Sequence, residues 1–472
     1  MYLESGLLMF KFSIAVLVLL CSSASFAQNV SEVSISAEQP TSESKINTSV
    51  SETEEVEKFS FHAQSTYINQ VHNSFNSSYN GPNSLLSRTE GADGRSYSLS
   101  GTLFLGARLW QNTEVYYNPE MFSGTPFTGS LVGLGGFQNG ELQKGAYAPP
   151  IYYTGRAFVR QTFQFGGERE YLESSANQLA KYVDTTRLVI SAGKFNTLDF
   201  FDDNLYSHDP RTQFQNFAIF SMGAYNYAAD TKGYTVGVVA EWYKDNWLLK
   251  AARLALPKVP NTADLDYSLS ENYGDQIELT REHKIYDQPG VIRALYFRGN
   301  AFMSNYRDAI NLGIQTNTTP DILNTRHGQQ SFWGYGINLE QALSNDIGVF
   351  ARWSWNTGRT ETQTLDISQS LSGGVSIKGT SWGRPEDVIG IGYAVSGISA
   401  SEIEYLQRGG MTAFIGDGNL QYEREKVFEA YYSIKAYKGV YLTADFQRIE
   451  NPAFNRARGP IHIFGLRAHV EM

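Results

Sequence analysis

The last twelve residues alternate between a mostly apolar and a mostly polar face. His462, Phe464, Leu466, Ala468, Val470 and Met472 share one face, and Ile463, Gly465, Arg467, His469 and Glu471 share the other. A period of two residues indicates a β-strand whose faces meet different environments. Strands of this kind at the end of a chain close outer-membrane barrels. The terminal segment therefore predicts a transmembrane antiparallel, up-and-down β-barrel, an all-β fold.

The same alternation recurs along the chain at strand length. Seventeen segments show it, beginning near residues 59, 97, 113, 151, 185, 213, 234, 247, 291, 308, 332, 347, 371, 387, 425, 440 and 460. Single-chain bacterial barrels normally have an even number of strands, so we predict sixteen. The weakest patterns are 213–220 and 308–316. Asp245-Asn246 and 344–346 predict tight turns, whereas 118–150 and 257–290 predict long loops.

Composition supports a barrel rather than a helical membrane protein. Aromatic residues make up 14% of the chain, yet the mean hydropathy is only −0.32. This combination is typical of barrels, in which only alternate residues meet lipid. No segment after the N-terminal region approaches the ~18 apolar residues of a spanning helix. The net charge of −10 argues against a nucleic-acid partner.

The N-terminal region predicts export. An apolar run at 12–20 precedes Ser25-Phe26-Ala27, so we predict a signal peptide over residues 1–27. Cys21 lies inside it; a lipoprotein is the alternative, but Leu20 fits that cleavage site poorly. Residues 28–58 predict a disordered acidic periplasmic tail, and residues 59–472 the barrel. This architecture places the protein in the outer membrane of a Gram-negative cell.

The charged face of each strand predicts a water-filled lumen. Arg or Lys facing lipid at mid-depth costs ~2–4 kcal/mol, so the charged side chains are expected inside. Lys250 and Arg253 are both basic, so both are expected in the lumen, yet residues three apart on one strand cannot share a face without a bulge. The predicted lumenal charges are of both signs in similar number: Arg108, Arg156, Arg160, Arg298, Arg352, Arg467, Glu114, Glu241, Glu340, Glu425, Glu429 and Asp445.

Residues 193–214 predict a constriction loop folded into the pore. The segment is rich in carboxylates and rings, including Asp199, Asp202 and Phe200. A calcium loop is disfavoured because Asp202 and Asp203 are adjacent and no downstream glutamate completes an EF-hand. The sequence therefore predicts no metal site and no cofactor.

The chain resembles the carbohydrate-selective porins of the OprB family. The resemblance rests on segments in the same order across residues 62–472, among them GARLWQNTEVYYNPE at 106–120, RAFVRQTF at 156–163, GKFNTLDFFDDN at 193–204, DPRTQF at 209–214, GRPEDVIGIGYA at 383–394 and NPAFNRARGP at 451–460. It implies a sixteen-stranded barrel, passive diffusion of glucose and related sugars, and a constriction of charged and aromatic groups. By motif position, the implied path residues are Arg108, Glu120, Arg156, Arg160, Asp199 and Asp202.

Three other functions stay open from the sequence. A channel for small organic acids would use Arg108, Arg156 and Arg160 to attract anions. An outer-membrane enzyme would need a nucleophile, a base and an orienting acid, and no Gly-x-Ser-x-Gly stands near a suitable base. A purely adhesive barrel would conduct no ions. The predicted partners are small sugars and the lipid bilayer. The sequence leaves open whether the protein is a monomer or a trimer.

Overall fold

The computed structural model describes residues 56–88 and 94–472, and in it sixteen antiparallel strands close into a barrel. The predicted signal peptide and nearly all of the predicted tail lie outside these residues. The strands are β1 Phe59–His72, β2 Arg95–Trp110, β3 Thr113–Thr125, β4 Tyr147–Gln164, β5 Arg169–Leu172, β6 Lys181–Asp184, β7 Arg187–Asn196, β8 Tyr234–Lys244, β9 Trp247–Ala255, β10 Tyr273–Ile285, β11 Gln288–Phe302, β12 Gln329–Ala342, β13 Ile347–Asn356, β14 Gln369–Gly379, β15 Arg384–Gly397, β16 Glu425–Tyr437, β17 Val440–Glu450 and β18 Ile461–Glu471. Strands β5 and β6 form a separate hairpin, and the other sixteen form the wall.

The terminal strand closes the barrel as its alternation predicts. Strand β18 pairs with β1 from Gln64↔Glu471 to His72↔Ile463. Phe464 and Leu466 are exposed on the outer face, whereas Arg467 is buried on the inner face. The barrel fold and its sixteen strands are thus confirmed.

Two of the seventeen predicted strands are wrong, and three strands were missed, namely one strand of the barrel wall and the two strands of the separate hairpin. Residues 308–316 belong to helix α2 (Tyr306–Thr316), and residues 213–220 belong to a lumenal segment that includes helix α1 (Phe217–Phe220). Helix α2 forms because the Asn305 side chain accepts the Arg307 N–H at 2.8 Å, while Asn317 ends the helix with a φ of 54°. A third helix, α3, spans Ala400–Gln407. The missed strand of the wall is β10, which lies inside the predicted loop 257–290.

The ends of the barrel differ in the length of their connections. Short turns join β2 to β3, β8 to β9, β10 to β11 and β16 to β17, and the predicted turns at 245–246 and 344–346 are both present. Long loops cross the opposite end. Short turns mark the periplasmic end of such barrels, and long loops mark the extracellular end. One periplasmic connection is an exception, because residues 165–186 carry the β5–β6 hairpin.

Two extracellular connections fold back into the lumen. They are residues 126–146 between β3 and β4, and residues 197–233 between β7 and β8. Phe201, Phe214 and Phe217 of the second connection are almost fully buried inside the barrel. Most of the lumen is therefore packed, which confirms the predicted inward loop and leaves a restricted space for solutes.

Carboxylates of the barrel wall hold these two connections in place. Glu425 accepts the N–H groups of Gly135 at 2.9 Å and Gly136 at 3.0 Å. Glu429 accepts the N–H of Asn216 at 3.0 Å. Buried backbone N–H groups without an acceptor are costly, so strand carboxylates replace the hydrogen bonds that irregular segments cannot make with themselves.

Candidate permeation site in the barrel lumen

A cavity of about 400 Å³ remains between the inward connections and strands β4 and β8. Its walls combine charged side chains with aromatic rings. The basic residues are Lys144, Arg156, Arg160, Arg211 and Lys232; the acidic residues are Glu141, Asp199 and Asp209; the rings are Phe104, Phe158, Phe200, Phe220 and Tyr234. Ligand sites of ~300–1,000 Å³ accommodate small molecules, so this cavity is large enough for a monosaccharide.

An ion pair between Arg156 and Asp199 stands at the wall of the cavity. The Arg156 Nε donates to Asp199 Oδ2 at 2.7 Å, and a second guanidinium nitrogen donates to the other carboxylate oxygen. Asp199 also accepts the N–H of Asn196 at 2.9 Å, and the Asn196 side chain accepts the N–H of Leu198. This capping box fixes the carboxylate, which in turn fixes the guanidinium plane.

Two carboxylates and two cations form a second network beside this pair. Lys144 Nζ lies 3.0 Å from Glu141 and 3.6 Å from Glu120. Arg211 lies 3.0 Å from Glu141 and 3.5 Å from Glu120. Burial alone would raise the pKa of Glu141, but Arg211 and Lys144 lower that pKa to about 2. The Glu141 carboxylate therefore stays ionised across the physiological range.

Aromatic rings lie directly beside the basic side chains. The guanidinium carbon of Arg156 is 5.6 Å from the centroid of the Tyr234 ring, and the Tyr234 hydroxyl donates to Glu120. The guanidinium carbon of Arg160 is 5.4 Å from the Phe158 ring. These contacts are within cation–π range. The cavity thus presents flat apolar surfaces next to oriented hydrogen-bond donors.

The periplasmic hairpin forms the lower boundary of the cavity. Residues 175–178, between β5 and β6, line it, and Arg160 donates to the carbonyl of Asn177 at 2.8 Å. Leu179 is fully buried, and its N–H donates to the Tyr116 hydroxyl at 3.2 Å. Lys181 pairs with Glu114 at 3.0 Å. The hairpin is therefore anchored inside the periplasmic mouth rather than lying free outside it.

Of the six implied path residues, three line the cavity and three do not. Arg156, Arg160 and Asp199 line it. Glu120 lies one layer behind, where it is buried and binds Lys144 and Arg211. Arg108 lies near the periplasmic end of β2 and pairs with Glu114 at 3.1 Å.

Asp202 lies away from the cavity because it anchors the constriction loop to the wall. It is fully buried, and it accepts hydrogen bonds from Arg352 Nε at 2.9 Å and Asn338 Nδ2 at 2.6 Å. It also accepts the N–H of Met222 at 2.6 Å. The carboxylate is fully buried among these partners, so a solute in the cavity cannot reach it.

Sequence reasoning missed Lys144, Tyr234 and Lys232. Arg211 had a usable signal, because it stands in the segment 193–214 that was assigned to the pore. Lys144 had none, since it lies in an irregular connection where strand alternation says nothing about direction. At this cavity five basic residues face three acidic ones, whereas the sequence predicts similar numbers of both signs for the lumen as a whole.

Arg298 is a further correction, because it faces outward. It lies on the outer face of β11 together with Ile292 and Tyr296, and its side chain is 52% exposed. The conflict between Lys250 and Arg253 on β9 is likewise explained by an arginine that faces outward. Lys250 faces the lumen and Arg253 faces outward, with no bulge between them.

The comparisons with known proteins identify the family. Residues 102–472 match the family model described as "Carbohydrate-selective porin, OprB family". The chain belongs to this family. It is therefore an outer-membrane porin of a Gram-negative cell, and both its family and its fold are those of channels rather than enzymes.

One relative and two solved structures are also similar to parts or most of this chain. Porin AaxA of Chlamydia pneumoniae is 26% identical over 139 residues, which cover 29% of this chain and 28% of that relative. The high pH structure of Pseudomonas putida OprB has a TM-score of 0.64 at 15% identity, covering 88% of this chain and 94% of that one. The outer membrane channel DcaP of Acinetobacter baumannii has a TM-score of 0.51 at 9% identity, covering 89% and 99%. At these identities the structures support the barrel fold alone.

The described residues contain neither a metal-binding cluster nor a membrane-spanning helix. Within residues 56–88 and 94–472, no group of three or more His, Cys, Asp or Glu side chains could hold a metal ion. In the same residues, no helix is long and apolar enough to cross a bilayer.

Proposed function

We propose that this porin conducts neutral sugars, glucose and related monosaccharides, through the cavity beside β4. The observation that supports the proposal best is the Arg156–Asp199 pair next to the Tyr234 ring. Because each charge already has its counter-charge, the pair offers donors and acceptors to hydroxyl groups without attracting free ions strongly. The ring offers a flat surface for the C–H face of a sugar.

The proposed path residues follow from the cavity. Arg156, Arg160 and Asp199 would contact the solute, with Lys144 and Arg211 as further donors. Glu120 would act indirectly, because it holds Lys144 and Arg211 in position. Arg108 and Asp202 would likewise act by positioning the hairpin and the constriction loop.

Binding at such a site must be weak for transport to occur. Transient hydrogen bonds replace part of the solute's hydration, and they must break again at the exit. A dissociation constant of 1 mM corresponds to about 4 kcal/mol, which a few hydrogen bonds and one stacking contact supply. Transport would be passive, down the gradient of the solute.

A channel for small organic anions is the second candidate. It is favoured by the excess of basic over acidic side chains at the cavity wall. The two candidates differ in their expected ion selectivity and in whether sugars block the ionic current. An anion channel would be strongly anion-selective in salt gradients, whereas a sugar channel would be weakly selective and would show current block by sugars.

The test is single-channel conductance in planar bilayers, titrated with glucose, a disaccharide and a small carboxylate. We expect Arg156→Ala with Arg160→Ala to weaken glucose block about tenfold, since two sets of charged hydrogen bonds are lost. The same double variant should become more cation-preferring. Unchanged glucose block would contradict the sugar assignment.

A matched control is Arg448→Ala. Arg448 faces outward near the extracellular end of β17, where it pairs with Glu450 at 2.9 Å. The substitution removes the same side chain from the same kind of strand without touching the cavity. Glucose block and selectivity should therefore remain those of the unmodified porin.

A further inference from the structure

A row of three charged side chains crosses the outer face of the barrel. Asp275 on β10 stands directly between Arg253 on β9 and Arg298 on β11. Arg253 donates to its two carboxylate oxygens at 2.8 and 2.9 Å, and Arg298 donates to Oδ2 at 3.2 and 3.0 Å. Two guanidinium groups thus share one carboxylate, which leaves one positive charge without a partner in the row.

The arginines are oriented but accessible. The side chains of Arg253 and Arg298 are 46% and 52% exposed. Both lie over the ring of Tyr273, at 4.3 and 5.7 Å from its centroid. Because Asp275 and Tyr273 fix the two guanidinium planes, their outer N–H groups are arranged for an anion to bind both at once.

The row lies at the level of an aromatic belt. Arg298 is in register with Trp333, and Tyr296, two residues nearer the periplasm, is in register with Tyr335. Trp333 and Tyr335 in turn pack against Trp355 at 5.2 and 5.5 Å. Trp and Tyr concentrate where hydrocarbon meets the polar headgroups. These residues are near the extracellular ends of their strands, so the row meets the headgroups of the outer leaflet.

A groove and a pair of polar side chains flank the row of charged residues on opposite sides. Below it, towards the bilayer centre, a depression of about 510 Å³ runs over Ala240 and Ala251 beside Ile277. Small side chains leave this space between the taller neighbours. Above the row, Asn300 and Ser331 form a hydrogen-bonded pair at 2.9 Å on the same outer face.

We propose that this surface binds a phosphorylated glycolipid of the outer leaflet, with chemistry of the lipid A class. The phosphate would bridge Arg253 and Arg298, one acyl chain would lie in the groove over Ala240 and Ala251, and the sugar would contact Asn300 and Ser331. A glycolipid of this class matches all three features, because its sugar carries both the phosphate and the acyl chains. The proposal concerns the outer wall and is independent of which solute the lumen conducts.

The test uses the full-length porin in detergent, titrated with bisphosphorylated lipid A and analysed by native mass spectrometry. Arg253→Gln with Arg298→Gln keeps side-chain length and polarity but removes both charges. We expect the apparent dissociation constant for lipid A to rise about tenfold or more. Dephosphorylated lipid A should bind the unmodified porin as weakly as lipid A binds the variant.

Two further variants keep the test decisive. Arg448→Gln removes an outward arginine of similar exposure, 48%, that does not line this groove, and lipid A binding should stay within about twofold. Ala240→Trp fills the groove while leaving both arginines, and it should weaken lipid A binding as well. Heat-dependent mobility on gels verifies that each variant is a folded barrel.

Three results would overturn the proposal. The first is unchanged lipid A affinity in the double glutamine variant. The second is equally tight binding of phosphatidylglycerol, which would mean that a phosphate and acyl chains are enough without the sugar. The third is an oligomer of the unmodified porin that the double variant loses, which would show that the row contacts a second copy of the chain.

Discussion

Charged residues of the lumen differ in whether they contact the cavity or the packed connections. Arg156 and Asp199 pair with each other at the cavity wall, where the Asp199 side chain is 27% exposed. Arg467 instead donates to the carbonyls of Pro210 at 2.9 Å and Gln213 at 2.6 Å. The alternation of each strand predicts that these side chains face inward. It does not predict which of them a solute can reach, because that depends on where the connections fold.

Removal of Asp202 should loosen the constriction loop. Asp202→Ala leaves the buried Arg352 without its carboxylate, and breaking a buried ion pair costs about 3–5 kcal/mol. We therefore expect lower stability against denaturant in lipid vesicles, and larger, noisier single-channel currents. Both follow because the loop would lose its attachment to β13.

The adjacent Asp203 provides the control for this prediction. Its side chain is 60% exposed and lies 3.5 Å from Arg293. Arg293 is buried but keeps Glu340 as its partner at 3.3 Å, and an ion pair with one exposed member contributes only about 0–1 kcal/mol. Asp203→Ala should therefore leave stability and current noise nearly unchanged, and equal effects at the two positions would contradict the anchoring role of Asp202.

Among the elements, the β5–β6 hairpin is the one that departs most from the expected barrel. Periplasmic connections are normally short turns, yet this one inserts Leu179 and Lys181 into the mouth of the pore. Alternation does not reveal the insertion, because strands of four residues are too short for a clear period. The contacts with Tyr116 and Glu114 show that the hairpin lies inside the barrel.

Deletion of the hairpin should widen the channel. Phe165 and Thr186 are already hydrogen-bonded at 2.9 Å, so residues 167–185 can be replaced by an Asn-Gly turn. Glu114 would keep Arg108 as its partner, and Arg187, which loses Glu170, would keep the ring of Tyr243 at 3.9 Å. We expect higher single-channel conductance and weaker glucose block, whereas unchanged conductance would mean that the hairpin does not restrict the path.

The extracellular loops contain a buried acidic pair that should make them sensitive to pH. Asp366 and Glu402 line a cavity of about 20 Å³ beneath helix α3. Burial raises the pKa of Asp366 to about 7, and burial together with the charge of Asp366 raises the pKa of Glu402. The folded loops therefore hold these protons more tightly than the unfolded chain does.

Local stability should fall as the pH rises from about 4 to about 7. In that window the unfolded loop releases its protons while the folded loop retains them, which costs up to about 1.4 kcal/mol per pH unit for each proton. Hydrogen exchange of residues 360–368 and 400–407, corrected for intrinsic rates, measures this. Asp366→Asn should flatten the dependence, whereas Glu404→Gln, on the exposed side of the same helix, should preserve it.

At the scale of the whole molecule, the charge at the cavity differs from the charge of the chain. The chain has a formal net charge of −10, yet the cavity wall has more basic than acidic side chains. Ion selectivity is determined by the charges at the narrowest part of the path rather than by the total. Weak anion selectivity is therefore expected from an acidic protein.

This selectivity should decrease with salt. The Debye length falls from about 10 Å at 0.1 M to about 3 Å at 1 M, so the basic residues act over a shorter range. In KCl gradients of the same ratio, the reversal potential should therefore be closer to zero at high mean concentration than at low mean concentration. Cation selectivity at low salt would contradict the assignment of the path to this cavity.

Alternation and family motifs predicted the barrel, its closure by the terminal strand, the inward loop and the cavity positions of Arg156, Arg160 and Asp199. They could do so because successive side chains of a barrel strand point alternately towards the lipid and towards the lumen. They could not predict contacts between distant segments: those of Asp202, which anchors a loop, and those of Lys144, in an irregular connection. They were wrong at Arg298, which faces outward. The tertiary structure alone decided how much of the lumen stays open, because folding two long connections inward buries charges that the strands would otherwise present to water.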